Sequence, residues 1–428
     1  MLLKRFRKNR RTDRFRPFVL AVLFTTILGG CADDPISSVR IWTDMPGILD
    51  YAILFNQQQD TYTVEVESRR HLLSALQDSD ATPDLVIGRH LNQAAAEDLF
   101  GEIGSVVAAS GGPQQFYPGF LAMGRFGNVQ RLLPVSFDLP AVVFTDAIAP
   151  DPGFRLYLEL DEIRDAAAAF NEPGAAGTGR MGYSPLWDDA FTQVLSDAYR
   201  VAFRQGPGGG ILWSSEPLRN ALSFAGEWVF ELNEGTERSD DFRRRYLTRP
   251  RVDLVNDGRI GFAFTTGQDF FGSSNAERPN LSLRWVARDG VIAVPDSLVM
   301  AGVPERARNS AGARAFMRWL LNGETQRELL ESAAVSDYGS PGIAGGFSSI
   351  VRINERDLLE LHPGLLGRIP PASMLRWPAR FPQMWPRMRD EAVIPWMQEQ
   401  IRLGEYTGSP ENRIQTWLRQ QERPSRRN

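Results

Sequence analysis

From residue 39 onward, apolar and polar positions first run together, then repeat at helical spacing, then alternate. Residues 39–42 are a short apolar run containing one Arg, followed by Thr43-Asp44 and Pro46-Gly47. Pro46 suits the first turn of a helix, and Thr43 or Asp44 can cap it. Ile48, Tyr51, Ala52 and Phe55 then recur at the period of one helix face. Tyr62, Val64 and Val66 alternate with Thr61, Thr63 and Glu65, the signature of a half-buried strand. Residues 71–76 have helical spacing, 83–88 form a buried-strand run closing on Gly88, and 92–100 are helical again. The order β-α-β-α-β-α predicts an α/β layer with a largely parallel sheet.

The segment 131–146 is extended throughout, but Pro134 and Pro140 forbid one continuous central strand, so two strands meeting at a bend are expected. A second series starts at residue 160. It comprises a helix over 160–170, a short strand over 180–183, a helix over 189–203 and a Gly-rich break at 206–210. A helix over 216–232, another beginning at 240–246, and a strand over 259–264 follow. Strands at 281–286 and 291–294 precede a long helix, 309–332, punctuated by Asn322-Gly323. The tail from 363 is rich in Pro and Trp, with helices near 391–401 and 410–420. No repeat of 20 to 50 residues appears, which excludes a solenoid or propeller.

The first 30 residues are different in kind. Residues 1–16 carry Lys4, Arg5, Arg7, Lys8, Arg10, Arg11, Arg14 and Arg16 against one acid, Asp13. Residues 17–30 are an apolar run ending in small residues. That run is shorter than the ~20 residues a membrane span needs and matches a secretory signal. It ends in Leu28-Gly29-Gly30-Cys31, which resembles the bacterial lipobox, where cleavage precedes a Cys that carries lipid. A lipidated Cys31 explains a single cysteine in an exported chain. The expectation is a signal peptide at 1–30, a lipidated tether at 31–37, and a folded body facing the periplasm or the cell exterior. Arg10-Arg11 leave twin-arginine export open, although Asp13 does not suit it.

Removing the leader leaves 40 basic and 51 acidic residues, a net charge of −11. An acidic body without a basic stripe argues against nucleic acid as a partner. Lys4 and Lys8 are the only lysines among the 428 residues, which excludes a P-loop Lys, a Schiff-base Lys and a Ser-Lys dyad in the body. The three histidines (His71, His90 and His362) form no HExxH pattern, and the sequence contains no CxxC and no GxSxG elbow. The loop 206–210 misses GxGxxG because Ile211 holds the last glycine position. No cofactor and no metal site is expected, and the chain is read as a non-enzyme.

Four segments give the body a family resemblance. They are Val39-Arg40-Ile41-Trp42 leading to Phe55-Asn56; Leu133-Pro134-Val135-Ser136-Phe137-Asp138 leading to Val142-Val143-Phe144; Asn256-Asp257-Gly258-Arg259-Ile260-Gly261-Phe262; and Ala315-Phe316-Met317-Arg318-Trp319-Leu320-Leu321 with Glu324-Thr325-Gln326. With Pro382-Gln383-Met384, their order resembles that of the maltose-binding-protein-like solute-binding proteins of bacterial ABC importers. The Pro-rich stretch 363–377 departs from that pattern. The resemblance implies a type II periplasmic-binding-protein fold: two α/β lobes, each a mostly parallel sheet flanked by helices, joined by crossing hinge segments. It places the first lobe at 38–138 plus 281–335 and the second at 139–280 plus 336–428. It also implies a monomer that captures a small ligand, a mono- or oligosaccharide, and passes it to membrane permease subunits.

Sites between lobes and at strand ends are where such folds bind ligands. Trp42, Thr43 and Asp44 end the first strand, though Trp42 suits a core and Asp44 a helix cap equally well. Arg89 and His90 follow the third strand. Ser136, Phe137 and Asp138 sit at the expected first crossing. In the second lobe the candidates are Trp187, next to Asp188, and Thr265, Thr266 and Gln268 after the Phe264 strand. Tyr338 at the last crossing and Trp385 in the tail complete the set. Aromatic faces suit the CH surfaces of a sugar, and planar polar groups suit its hydroxyls. Two other readings remain: a carbohydrate-active enzyme on a two-lobed fold, with Asp44 and Asp138 as its acids, or a sensor or adhesion lipoprotein without transport.

Overall fold

The first strand, Ser37–Thr43, begins half exposed and ends with Ile41, Trp42 and Thr43 buried. It needs that apolar end because it becomes the interior strand of a sheet. The computed structural model describes residues 37–146, 148, 155–172, 179–273, 278, 280–334 and 342–422. The leader, Cys31 and Tyr338 lie outside the described residues. Ten strands build the two main sheets: β1 (Ser37–Thr43), β2 (Tyr62–Ser68), β3 (Leu85–Arg89), β4 (Leu133–Phe137), β5 (Pro140–Phe144), β6 (Tyr157–Glu159), β7 (Ala263–Thr266), β8 (Ser282–Ala287), β9 (Val299–Gly302) and β10 (Phe347–Ser348). The larger sheet has the order β10-β4-β9-β3-β1-β2, and the smaller has the order β7-β5-β8-β6.

The expected βαβ run forms the parallel part of the larger sheet. β1 lies between β2 and β3, parallel to both. The helix Ile48–Gln58 buries Ile48, Ala52 and Phe55 against it, the stripe that the spacing indicated. Asn56 fixes the helix to β2 by donating to the Val64 carbonyl at 3.0 Å and accepting from the Val64 N–H at 2.8 Å. This satisfies an outer strand's main chain from a side chain.

The sheets are less parallel than expected. β9 is antiparallel to β3 and β4, and β10 to β4; in the smaller sheet β5 is antiparallel to β7 and β8, with only β6 and β8 parallel. Chain direction at the crossings gives the reason. β1, β3 and β4 run toward the junction between the sheets, whereas β9 enters from that junction after β8 and must run away from it.

Two lobe assignments change for the same reason. Ser282–Ala287, placed in the first lobe from sequence, pairs with Pro140–Phe144 in the smaller sheet. Phe347–Ser348, placed in the second, pairs with β4 in the larger sheet. The two prolines sit where hydrogen bonding allows: Pro140 is the first residue of β5, and Pro134 faces the irregularity at Val299/Met300. Between β4 and β5 only Asp138 and Leu139 carry the chain from one sheet to the other.

Smaller departures are local. The 180–183 strand reduces to a bridge between Met181 and Ile260, and 92–100 forms only the helix Ala96–Leu99. The 259–264 strand forms as Ala263–Thr266. Asn322-Gly323 splits 309–332 into Ser310–Leu320 and Gly323–Ala334, with Asn322 capping the second helix. The tail returns to the second lobe, where Gln398 on the helix Ile394–Leu403 donates to the Pro185 carbonyl at 3.2 Å. Trp228 is fully buried in that lobe's core, edge-on to Phe191. Among the described residues, no helix is long and apolar enough to cross a membrane.

Glycine spacing tests this packing. A Cβ at Gly182 would lie 2.1 Å from the Ala167 carbonyl oxygen, and main chain cannot move aside cheaply. Gly47 has helical φ and ψ and nothing within 4 Å. Gly182→Ala should therefore destabilise the protein by about 1–3 kcal/mol. Gly47→Ala should be neutral or stabilising by up to about 1 kcal/mol. Denaturant midpoints of the two variants check the contrast.

Candidate functional site

The carboxyl ends of β1 and β3 lie side by side, because Thr43 and Ile87 are paired in register. Asp44 leaves β1 there, and its carboxylate accepts the main-chain N–H of Arg89 at 3.0 Å. Burial pushes the Asp44 carboxyl above its ordinary range, against the opposing pull of that N–H and the Arg89 charge. The approach needs a glycine: a Cβ at Gly88 would meet Leu72 Cδ1 at 2.2 Å and the Asp44 carboxylate at 2.3 Å. His90 follows in a left-handed conformation, φ 58°. Its Nδ1 is buried without a hydrogen-bond partner, and burial lowers its pKa, so the ring is neutral at pH 7.

The facing wall comes from the tail. Trp385 stacks on Phe381 at 5.5 Å and donates its indole N–H to Asp296 at 2.6 Å. Arg389, one helical turn on, donates to both oxygens of buried Asp296 at 2.5 and 2.6 Å. A cavity of about 280 Å³ opens between this wall and the β1/β3 ends, lined by Asp44, Arg89, His90, Met384 and Arg389 among others. A second, of about 300 Å³, lies toward the smaller sheet, with Asp189, Gln193, Thr266 and Asp296 on its walls. Arg389 and Asp390 line both.

The crossing closes the third side. Asp138 accepts the N–H of Leu139 at 2.8 Å and that of Gln268 at 3.0 Å, and the Thr266 hydroxyl donates to it as well. Burial outweighs these donors and pushes its pKa up to about 6. Gln268 in turn accepts from the Arg89 guanidinium at 3.4 Å, a contact from the larger sheet to the segment following β7.

The sequence candidates divide accordingly. Asp44, Arg89, Thr266, Gln268 and Asp138 converge on the junction. The aromatic candidates do not. Trp42 is buried in the core with its indole N–H on Glu67 at 2.6 Å, and Phe137 packs against Phe120, Tyr117 and Trp377. Trp187 stacks on Phe242 and donates to the Ser239 carbonyl at 3.1 Å. Trp385 is 1% exposed and acts through Asp296. A strand-end aromatic is bulky enough to complete the lobe core, and that burial outweighs a role at the surface of a cleft. Thr43 caps the following turn by accepting from Met45 N–H at 3.0 Å, Ser136 is buried within β4, and the Thr265 hydroxyl bonds to the neighbouring Thr266 carbonyl. Asp188 is held by Tyr183 and Arg251 in the second lobe.

Sequence reasoning missed Asp189, Asp296, Arg389 and Asp390. Asp296 and Arg389 are 93 residues apart and meet only through the tail's return. Phe264 is the one Phe, Tyr or Trp among the described residues lining the two cavities that Arg389 bounds, whereas a third of about 280 Å³, behind the tail wall, is lined by Phe203, Trp377, Phe381 and Trp385. No cluster of three or more metal-ligating side chains occurs among the described residues.

This architecture has many relatives among solved structures. A mannotriose-bound protein, CpMnBP1, superposes with a TM-score of 0.64 at 12% identity, over 90% of this chain and 100% of that one. An ABC substrate-binding protein from Listeria monocytogenes in complex with cycloalternan gives 0.61 at 12%, over 89% and 96%. The sugar-binding protein MalE from Xanthomonas citri gives 0.61 at 14%, over 90% and 96%. The fold is thus the two-lobed α/β fold of the solute-binding proteins. No family model matches the sequence, and no curated protein does.

Behind the tail wall, Asp197 accepts from Gln193 at 2.9 Å, but its Oδ2 is buried without a partner. Burial, reinforced by the nearby Asp296 charge, pushes its pKa up to about 7. Ionising it in the folded state is costly. Its favourable contribution is complete below the unfolded carboxyl pKa near 4 and is lost as pH rises through about 7. Asp197→Asn removes the titration. Relative to the parent, the variant should gain roughly 2–4 kcal/mol between pH 5 and pH 8, read as thermal midpoints across that range.

Proposed function

We propose that this chain is the solute-binding component of an ABC importer, exported, anchored by lipid on Cys31 and acting as a monomer. It captures a small carbohydrate between its lobes and presents the closed form to permease subunits. One observation carries the reading: one polar cavity opens at the strand ends of the larger sheet and another beside the smaller sheet, both bounded by Arg389 and Asp390 of the tail, and Arg89 reaches Gln268 across the junction. The similar structures include proteins bound to mannotriose and to cycloalternan, which supports a sugar as the ligand class. Each cavity lies near the lower end of the roughly 300–1,000 Å³ typical of small-molecule sites, which favours a mono- or disaccharide over a long chain.

The mechanism follows from geometry. A ligand that contacts Asp44 and Arg89 on one side and Thr266, Gln268 or Arg389 on the other completes both sets only when the lobes are closed. Its differential affinity then shifts the hinge equilibrium. The crossings act as the hinge, with Asp138 joining its two sides. No bond is made or broken, and hydrolysis of nucleotide belongs to the importer's own ATPase.

Thermal unfolding of the full chain in mild detergent, against mono- and disaccharides, polyols, amino acids and peptides, tests capture. A true ligand at a hundredfold excess over Kd should add about 2.7 kcal/mol, a shift of several degrees. Asp138→Ala should abolish the shift. Stabilisation by amino acids or peptides alone would replace the sugar, and conversion of a sugar during incubation would replace the binding protein with an enzyme. Lipidation is tested separately: radiolabelled fatty acid should enter the wild-type chain and not Cys31→Ser, and the variant should leave the membrane fraction.

A further inference from the structure

A body with 40 basic and 51 acidic residues should line its cavities with an excess of acid, yet the cavity at the β1/β3 ends does the reverse. Its lining contains Arg70, Arg89, Arg387 and Arg389 together with His71 and His90, against only Asp44 and Asp390. Two of these arginines are neutralised locally. Arg389 is paired with Asp296 and Asp390, and Arg387 with Glu391. The other two are not. Among the described residues Arg70 has no ion pair, and the Arg89 guanidinium makes a single long bond, 3.4 Å, to a neutral amide. Asp44 faces the same space, and its carboxyl feels the Arg89 charge and accepts the Arg89 main-chain N–H without forming an ion pair to the guanidinium.

The imidazole of His90 adds a second, independent sign. The residue lines the cavity on left-handed backbone, and its Nδ1 is buried behind that wall without a partner. Buried polar groups are almost always paired, so one without a partner at a cavity requires an explanation. Backbone strain in non-glycine residues likewise persists where surrounding structure enforces it, often at ligand sites. A guanidinium offers five donors in a planar fork that fits the oxygens of a carboxylate or phosphate.

We infer that the ligand of this cleft is an acidic sugar, its carboxylate or phosphate held by Arg89 with Arg70 at the rim, and His90 forming the wall beside it. Its remaining hydroxyls face Gln193, Thr266 and the Asp296–Arg389 pair in the adjoining cavity. The inference rests on the capture reading above and narrows it.

The experiment is calorimetric titration of the full chain in detergent with matched sets: glucose, galactose and their disaccharides; glucuronate, galacturonate and digalacturonate; and glucose 6-phosphate, with inorganic phosphate and acetate as the bare anions. The expected result is binding of the uronates or the sugar phosphate, at least tenfold tighter than the uncharged parents. Raising salt from 50 to 500 mM should weaken that binding. Arg89→Met should weaken it at least tenfold, Arg89→Lys should restore part of it, and His90→Asn, which tolerates left-handed backbone, should weaken it less. Unliganded unfolding midpoints confirm that the variants fold. Tight binding of neutral sugars, insensitive to Arg89→Met, overturns the acidic ligand and leaves capture standing. Binding of phosphate or acetate alone overturns the sugar. Binding of none of the sugars or anions overturns the acidic ligand as well, and the separate panel of polyols, amino acids and peptides then decides whether capture survives.

Discussion

The carboxylate of Asp138 holds the two sheets in register with each other. The link between β4 and β5 is two residues long, too short to satisfy its own main chain by local structure. Asp138 takes the N–H of Leu139 and the N–H of Gln268, while the Leu139 carbonyl takes the N–H of Gly267 at 3.0 Å. The strand leaving the first lobe is thereby fastened to the strand end of the second. The same bonds fix where Gln268 begins, and so where its amide can meet Arg89. Loss of any one of them would leave a buried polar group unpaired, at about 1–3 kcal/mol each, in the one place where the chain has no length to adjust.

Much of this was legible in the sequence, for physical reasons. Pro134 and Pro140 cannot both sit in a regular interior strand, so the bend between them, and with it the crossing, follows from proline chemistry alone. Ile48, Tyr51, Ala52 and Phe55 announced a helix packed on β1, and Asn322-Gly323 announced the break in the long helix. Strand sense was not legible, because it depends on which lobe a segment arrives from. Ser282–Ala287 is as apolar as a strand of either sheet, and its sequence contains nothing about its partners.

The candidate residues divide between junction and core for a related reason. Polar strand-end residues such as Asp44, Arg89 and Gln268 have few alternatives to the junction, since their burial elsewhere would need partners. Tryptophan has two outlets, a cleft face or a core, and residue type does not choose between them. In Trp42, Trp187 and Trp385 the ring is buried and the indole N–H finds Glu67, the Ser239 carbonyl and Asp296, respectively. Each ring therefore has both its apolar area and its one donor satisfied inside the protein, and nothing remains for a ligand to satisfy.

That observation separates the residues that build the cleft from those left for use. Asp296 and Arg389 neutralise each other almost out of solvent, and Trp385 completes the set, so this group shapes a wall and offers little free valence. A buried pair of this kind contributes modestly to stability, but removing one partner leaves an uncompensated charge, about 3–5 kcal/mol against the fold. The pair is thus a specification of geometry more than a source of affinity. Arg89 and His90, by contrast, carry donors and acceptors that the folded chain does not use. Proteins depart from internal satisfaction of this sort mainly where another molecule is to supply the missing partners. In this chain Arg89 and His90 lie at the end of β3 beside an open cavity, opposite a wall whose buried ion pair is already satisfied.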